Sequence, residues 1–98
     1  VRKPDLFLAA LGAKSQEQGF EWMCKLGLAG IQVEMDFRDK SLKGQMKRAD
    51  RLGARYVLIL GENELEAGAA VLRNMASKQQ TSVPLDNIVE IIKKTLYP

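Results

Sequence analysis

The sequence predicts an α/β fold in three layers, helix over sheet over helix, and three observations lead there. Residues 41 to 60 pass from a helical pattern to a strand pattern across one glycine. Leu42, Met46, Ala49 and Leu52 share a helix face, Gly53 follows, and Tyr56 to Leu60 is a continuous apolar run of strand formers. A strand that apolar needs cover on both sides, which a parallel sheet between helix layers provides. The periodicities along the chain then read β-α-β-α-β, a β-hairpin and a last helix. Right-handed crossovers put the second, first and third strands side by side, and the hairpin extends the sheet past the third.

Taken in order, Asp5 to Leu11 is the first buried strand, closed by Gly12. Ser15 and Gln18 have the spacing of a capping box. Phe20, Cys24 and Leu28 recur every four residues with Met23 and Leu26 beside them, so a first helix is expected over about residues 15 to 28. Ile31 to Met35 alternates apolar and polar residues and reads as an edge strand. Ser41 is placed as the N-cap of the second helix, whose Lys43, Lys47 and Arg51 form a water-facing row. After the third strand, residues 61 to 68 have room for little more than one helical turn. Ala69 to Asn74 and Gln79 to Val83 are the fourth and fifth strands, and the four residues between them are too few for a crossover, so they form a hairpin. A third and last helix is expected from about 85 to 96, with Ile88, Val89, Ile91, Ile92 and Leu96 on its apolar face.

Composition bounds the function. The 98 residues carry a net charge of +3, with 46% hydrophobic and 28% charged residues, as in an ordinary folded domain. We expect residues 1–98 to form a single domain, and the first residue, Val1, suggests processing or an excised domain. One cysteine and no histidine exclude an intrachain disulfide, a Cys/His metal cluster and a histidine base. Cys24 is expected to be a buried structural thiol. No apolar run is long enough for a membrane span and no secretory signal is visible, so a cytoplasmic protein is expected. The phosphate-binding, metalloprotease and nucleophile-elbow motifs are all absent. Glu62, Glu64 and Glu66 have no environment that would push their pKa values apart for acid/base work, so the chain is expected to be noncatalytic, with no metal site and no cofactor of its own. A receiver-like phosphoacceptor domain shares the β-α order, but Gly12, Ala13 and Lys14 stand where it needs acids.

The polar signal lies between the second strand and the third. Arg38, Lys40, Lys43, Lys47, Arg48 and Arg51 face only Asp39 and Asp50 in the same window. This run is either a solvated helix face or a phosphate-contacting surface.

SLKGQMKRADRLGARYVLILGENEL, followed by LRNM and Gln80, resembles the C-terminal anticodon-binding domain of bacterial histidyl-tRNA synthetases. VEMDFRDKSLK resembles the same stretch in the wider group that includes the threonyl, prolyl and glycyl enzymes. The resemblance implies a mixed five-stranded sheet of order 2-1-3-4-5, with strand 4 antiparallel to the rest. It also implies a parent enzyme that attaches histidine to its tRNA with ATP and Mg2+, works as a homodimer and carries a separate catalytic domain. This chain would then bind the anticodon stem-loop of tRNA(His). Arg38, Asp39, Glu64 and Arg73 correspond to base-reading positions, where an arginine offers a donor fork and a glutamate an acceptor to an unpaired base. Phe37 is open to base stacking, and Lys40, Lys43 and Lys47 would lie near phosphates. Asp39 stands where some relatives have asparagine, and a carboxylate is a poorer match beside RNA phosphate. The plainer readings are a helix cap for Glu64, a cross-strand pair for Arg73 and core packing for Tyr56. If the RNA reading holds, Arg38, Glu64 and Arg73 should converge on one rim of the sheet. The alternative is a noncatalytic domain of the same fold that holds a protein partner.

Overall fold

The computed structural model describes residues 3–38 and 41–98. The elements run β1 (Leu6–Ala10), α1 (Ala13–Leu28), β2 (Val33–Met35), α2 (Leu42–Leu52), β3 (Tyr56–Leu60), α3 (Glu62–Ala67), β4 (Ala69–Asn74), β5 (Gln80–Pro84) and α4 (Ile88–Leu96), with a 3-10 turn at Leu85–Asn87 before α4. The sheet order is β2-β1-β3-β4-β5. β1 is parallel to both neighbours, and β4 is antiparallel to β3 and β5. The mixed sheet and its order are therefore those expected.

The two faces of the sheet are covered unequally. Leu6, Leu8, Ala10, Leu58, Leu60, Leu72 and Val83 pack against Trp22 and Leu26 of α1 and Ile88, Ile92 and Leu96 of α4. On the other face Phe7, Ala9 and Val57 meet Ala49 of α2 and Ala54, with Met46, Leu52, Ile59 and Met75 at the margin. α2 is the only helix on that side among the described residues, and it lies over β1 and β3. The hairpin strands β4 and β5 keep much of that face open.

Four expectations need correction. There are four α-helices rather than three, because GENELEAG forms α3, whose start is fixed by the Gly61 amide donating to Glu64 Oε1 at 2.8 Å. The inward face of α1 is Ser15, Gly19, Trp22 and Leu26, spaced four, three and four; Phe20 and Leu28 are 50% and 91% exposed, and Cys24 is exposed rather than buried. Glycine suits that face at position 19 because the helix sits close to the sheet there: a Cβ on Gly19 would come within 3.0 Å of Met35 Cε and 3.5 Å of Ala10 Cβ. Ser15 is consequently buried inside α1, which starts two residues earlier, and Gly12 rather than Ser15 holds the N-cap position. Finally, Gln45 rather than Leu42 is the first inward residue of α2. It is wholly buried and donates Nε2 to the Ala10 carbonyl at 3.2 Å, while Leu42 is 38% exposed.

Candidate nucleic-acid interface

The α2 end of the site follows directly from local sequence. Ser41 Oγ accepts the Gly44 amide at 3.1 Å, and Gly53 closes the helix in the left-handed conformation with φ 73°. With Gln45 and Ala49 facing the sheet, Lys43, Lys47 and Arg51 face solvent. Across from them, the antiparallel register sets Arg73 beside Val57 on one side and Gln80 on the other. Between α2 and the hairpin lies an open groove of about 310 Å³. Its walls are Lys43, Met46, Lys47 and Asp50 from the helix and Arg73, Met75 and Lys78 from the hairpin.

Four cations and one carboxylate line this groove. Among the described residues none of the four is in an ion pair, whereas Lys25, Arg38, Arg48, Arg55 and Lys93 all are. Arg73 Nη1 donates to Gln80 Oε1 at 2.9 Å, and its buried Nε has no partner among the described residues. The cross-strand partner of Arg73 is thus a neutral amide, and the groove keeps its positive charge. Two half-buried methionines in its lining add a polarizable apolar surface.

Arg38 belongs to a second cluster, at the end of the edge strand. The carboxylate of Asp36, 6% exposed, accepts Arg38 Nε and Nη2 at 3.1 Å each and the Arg38 amide at 3.0 Å, and Arg48 Nε lies 3.8 Å away. The hydrogen bonds from the Arg38 side chain, reinforced by its amide and by the charges of Arg38 and Arg48, hold the Asp36 carboxyl below its ordinary value against the opposing effect of burial. Phe37 meets Phe20 edge to face, with centroids 6.0 Å apart, and stays 54% exposed. Asp39 and Lys40 lie outside the described residues.

Glu64 lies past the end of β3, at the sheet edge where Arg38 follows β2. Its Oε1 caps α3 through the Gly61 amide, so the plainer reading of this residue has a geometric basis. Of the single rim expected for Arg38, Glu64 and Arg73, the topology keeps Arg38 and Glu64 at one edge of the sheet, past the ends of the parallel strands β2 and β3, and sets Arg73 apart. Glu64 follows β3, whereas Arg73 pairs with Val57, three residues before Leu60 and so about 10 Å back along the strand. The cause is the direction of β4: a residue late in an antiparallel strand lies where its neighbour begins. What the fold does bring together is Arg73 with Lys43 and Lys47. Tyr56 is half-buried, and its hydroxyl accepts Asn74 Nδ2 at 3.4 Å, as packing predicts.

Sequence reading missed Met75 and Lys78 in the groove, because the hairpin turn looked like a connector. The register of Arg73 with Gln80 is the signal that would have found them, since it makes residues 74 to 79 the turn of the hairpin that carries Arg73. No cluster of three or more Cys, Asp or Glu residues fit to hold a metal occurs among the described residues, and no helix there is long and apolar enough to cross a membrane.

A family profile described as an anticodon binding domain matches residues 5–95. The chain belongs to that family. As an anticodon-binding domain it is 52% identical over 87 residues to a histidine–tRNA ligase from Desulfatibacillum aliphaticivorans, an alignment covering 89% of this chain and 21% of that protein. It is likewise 52% identical over 85 residues to the histidine–tRNA ligase of Geobacter sulfurreducens, covering 87% of this chain and 21% of that one. Among solved structures, apo histidyl-tRNA synthetase from S. aureus superposes with a TM-score of 0.86 at 33% identity, over 93% of this chain and 23% of that one. The anticodon-binding domain therefore spans about a fifth of the length of the curated relatives it matches.

Proposed function

We propose that this chain is the RNA-recognition domain of a histidine–tRNA ligase: it binds the anticodon stem-loop of tRNA(His) and positions the tRNA for histidylation by a catalytic domain elsewhere in the parent protein. The observation that carries this reading is the groove in which Lys43, Lys47, Arg73 and Lys78 stand without ion-pair partners among the described residues, in a member of the anticodon-binding family. Lys43 and Lys47 suit backbone phosphates, because an ammonium on an exposed helix row meets an anion as a point charge. Arg73 suits a base edge, because its guanidinium gives one hydrogen bond to the neutral amide of Gln80 and has other donors to spare. Phe37 and Arg38 offer a second contact at the edge strand, a half-exposed ring beside a fixed cation. Glu64 would read a base only with the oxygen not engaged at Gly61, and Asp39 and Lys40 complete the candidate set. The parent enzyme would act in the cytoplasm as a homodimer and supply ATP and Mg2+ chemistry from its catalytic domain, so the contribution of this chain is positional.

The test is binding of the chain to the tRNA(His) anticodon stem-loop and to the same hairpin with a swapped anticodon. Tighter binding of the cognate RNA supports base readout. Equal affinity for both would leave only electrostatic attraction and sink the recognition role.

A further inference from the structure

The β4–β5 turn carries a residue that its own conformation does not call for. Lys78 has φ 67°, the only non-glycine in the left-handed region among the described residues. The turn that holds it there is complete without its side chain. The Lys78 amide donates to the Asn74 carbonyl at 2.8 Å, Asn74 Oδ1 accepts the amides of Ala76 and Ser77 at 2.9 and 3.1 Å, and the Asn74 amide donates to the Gln79 carbonyl at 2.9 Å. Glycine or asparagine would adopt that backbone with less strain. The lysine is exposed, has no ion-pair partner among the described residues, and lines the same groove as Arg73, Lys43 and Lys47. Turn chemistry explains the conformation and makes no use of the charge, which stands at the groove.

We propose that Lys78 is a phosphate-contact residue. The hairpin turn projects its ammonium into the wall of the groove facing α2, where it takes one backbone phosphate of an RNA whose neighbouring phosphates meet Lys43 and Lys47. This rests on the RNA-binding reading above. It adds that the hairpin, and not only the helix, fixes the register of the RNA, with Arg73 carried on the same element so that phosphate contact and base contact are set together.

The test compares the wild-type chain with Lys78→Gly, Lys78→Asn and Lys78→Arg, measuring melting temperature and, over a salt series, affinity for the tRNA(His) anticodon stem-loop. Relief of left-handed strain should leave the glycine and asparagine variants melting at or above wild type. Their affinity should fall about fourfold at 0.15 M salt, and the slope of log affinity against log salt should shrink by about 0.7, the signature of one lost phosphate contact. Lys78→Arg should retain affinity and slope. If the wild type binds and Lys78→Gly binds equally well with the same slope, the proposal for Lys78 is overturned while RNA binding stands. Loss of binding in Lys78→Arg equal to that in Lys78→Gly would also overturn it, by showing dependence on shape rather than charge. A wild-type chain that does not bind the stem-loop overturns both readings.

Discussion

Asp36 grips Arg38 with both carboxylate oxygens, Oδ1 taking Nε and Oδ2 taking Nη2 at 3.1 Å each. The acid is the fixed member of the pair, since its side chain is 4% exposed while that of the arginine is 66% exposed. The arginine at this strand end is therefore oriented by a buried carboxylate, to which Arg48 adds a second counter-charge.

The pairing makes a pH prediction. The folded-state pKa of Asp36 is held below its ordinary value of 3.8. Its stabilising contribution is then fully present above that value and is lost as pH falls through the lowered one. Asp36→Asn should be less stable than wild type near neutral pH, and the gap should close as pH drops below about 4. Urea denaturation at several pH values measures this; a gap independent of pH would show that the carboxylate's charge is not what matters.

Gln45 should be a stability residue. Truncation to Ala leaves the Ala10 carbonyl without its 3.2 Å donor in a wholly buried setting. The cost should be about 1–3 kcal/mol, read as a fall in melting temperature of roughly 4–8 °C per kcal/mol for a chain of this size. A melting temperature unchanged in Gln45→Ala would refute the role.

Gly53 should resist substitution. Its φ of 73° closes α2, with the Gly53 amide donating to Asp50 and the Ala54 amide to Ala49. Gly53→Ala should cost about 1–2 kcal/mol from left-handed strain, because the closest obstacle to a new Cβ, Lys3 Cδ at 2.9 Å, belongs to a flexible chain that can move aside. Denaturant titration gives the value directly.

For Arg73→Ala the expected loss is discrimination between anticodons, about 1–3 kcal/mol if the guanidinium reads a base edge. A uniform loss of affinity for cognate and swapped hairpins would reassign Arg73 to the phosphates.

The α2–β3 segment was legible because each boundary carries its own chemistry: a serine cap, a left-handed glycine and a run of five apolar residues whose Val57, Leu58 and Leu60 are buried between two layers. The seat of α1 was not. Phe20, Cys24 and Leu28 make an apolar row at four-residue spacing that outweighs Ser15 and Gly19 in any hydropathy reading, yet the small pair faces the sheet, and at Gly19 a Cβ would come within 3.0–3.5 Å of Met35 and Ala10. α3 was hidden by its length and acidity, although the Glu64 side chain already had the reach to cap Gly61. The site was half legible. The lysine row could be read from spacing, whereas the position of Arg73 needed the direction of β4 to be carried through to the strand end, and Lys78 needed the hairpin register.

The central claim is that RNA lies on the open side of the sheet, between α2 and the β4–β5 hairpin. The most direct measurement is an NMR titration of the 98-residue chain with the tRNA(His) anticodon stem-loop, following backbone amides. Shifts concentrated at Lys43, Lys47, Arg73 and Lys78, with α4 and the Leu28 end of α1 silent, are predicted. Shifts centred instead on α4 and the exposed row of Cys24 and Leu28 would contradict it.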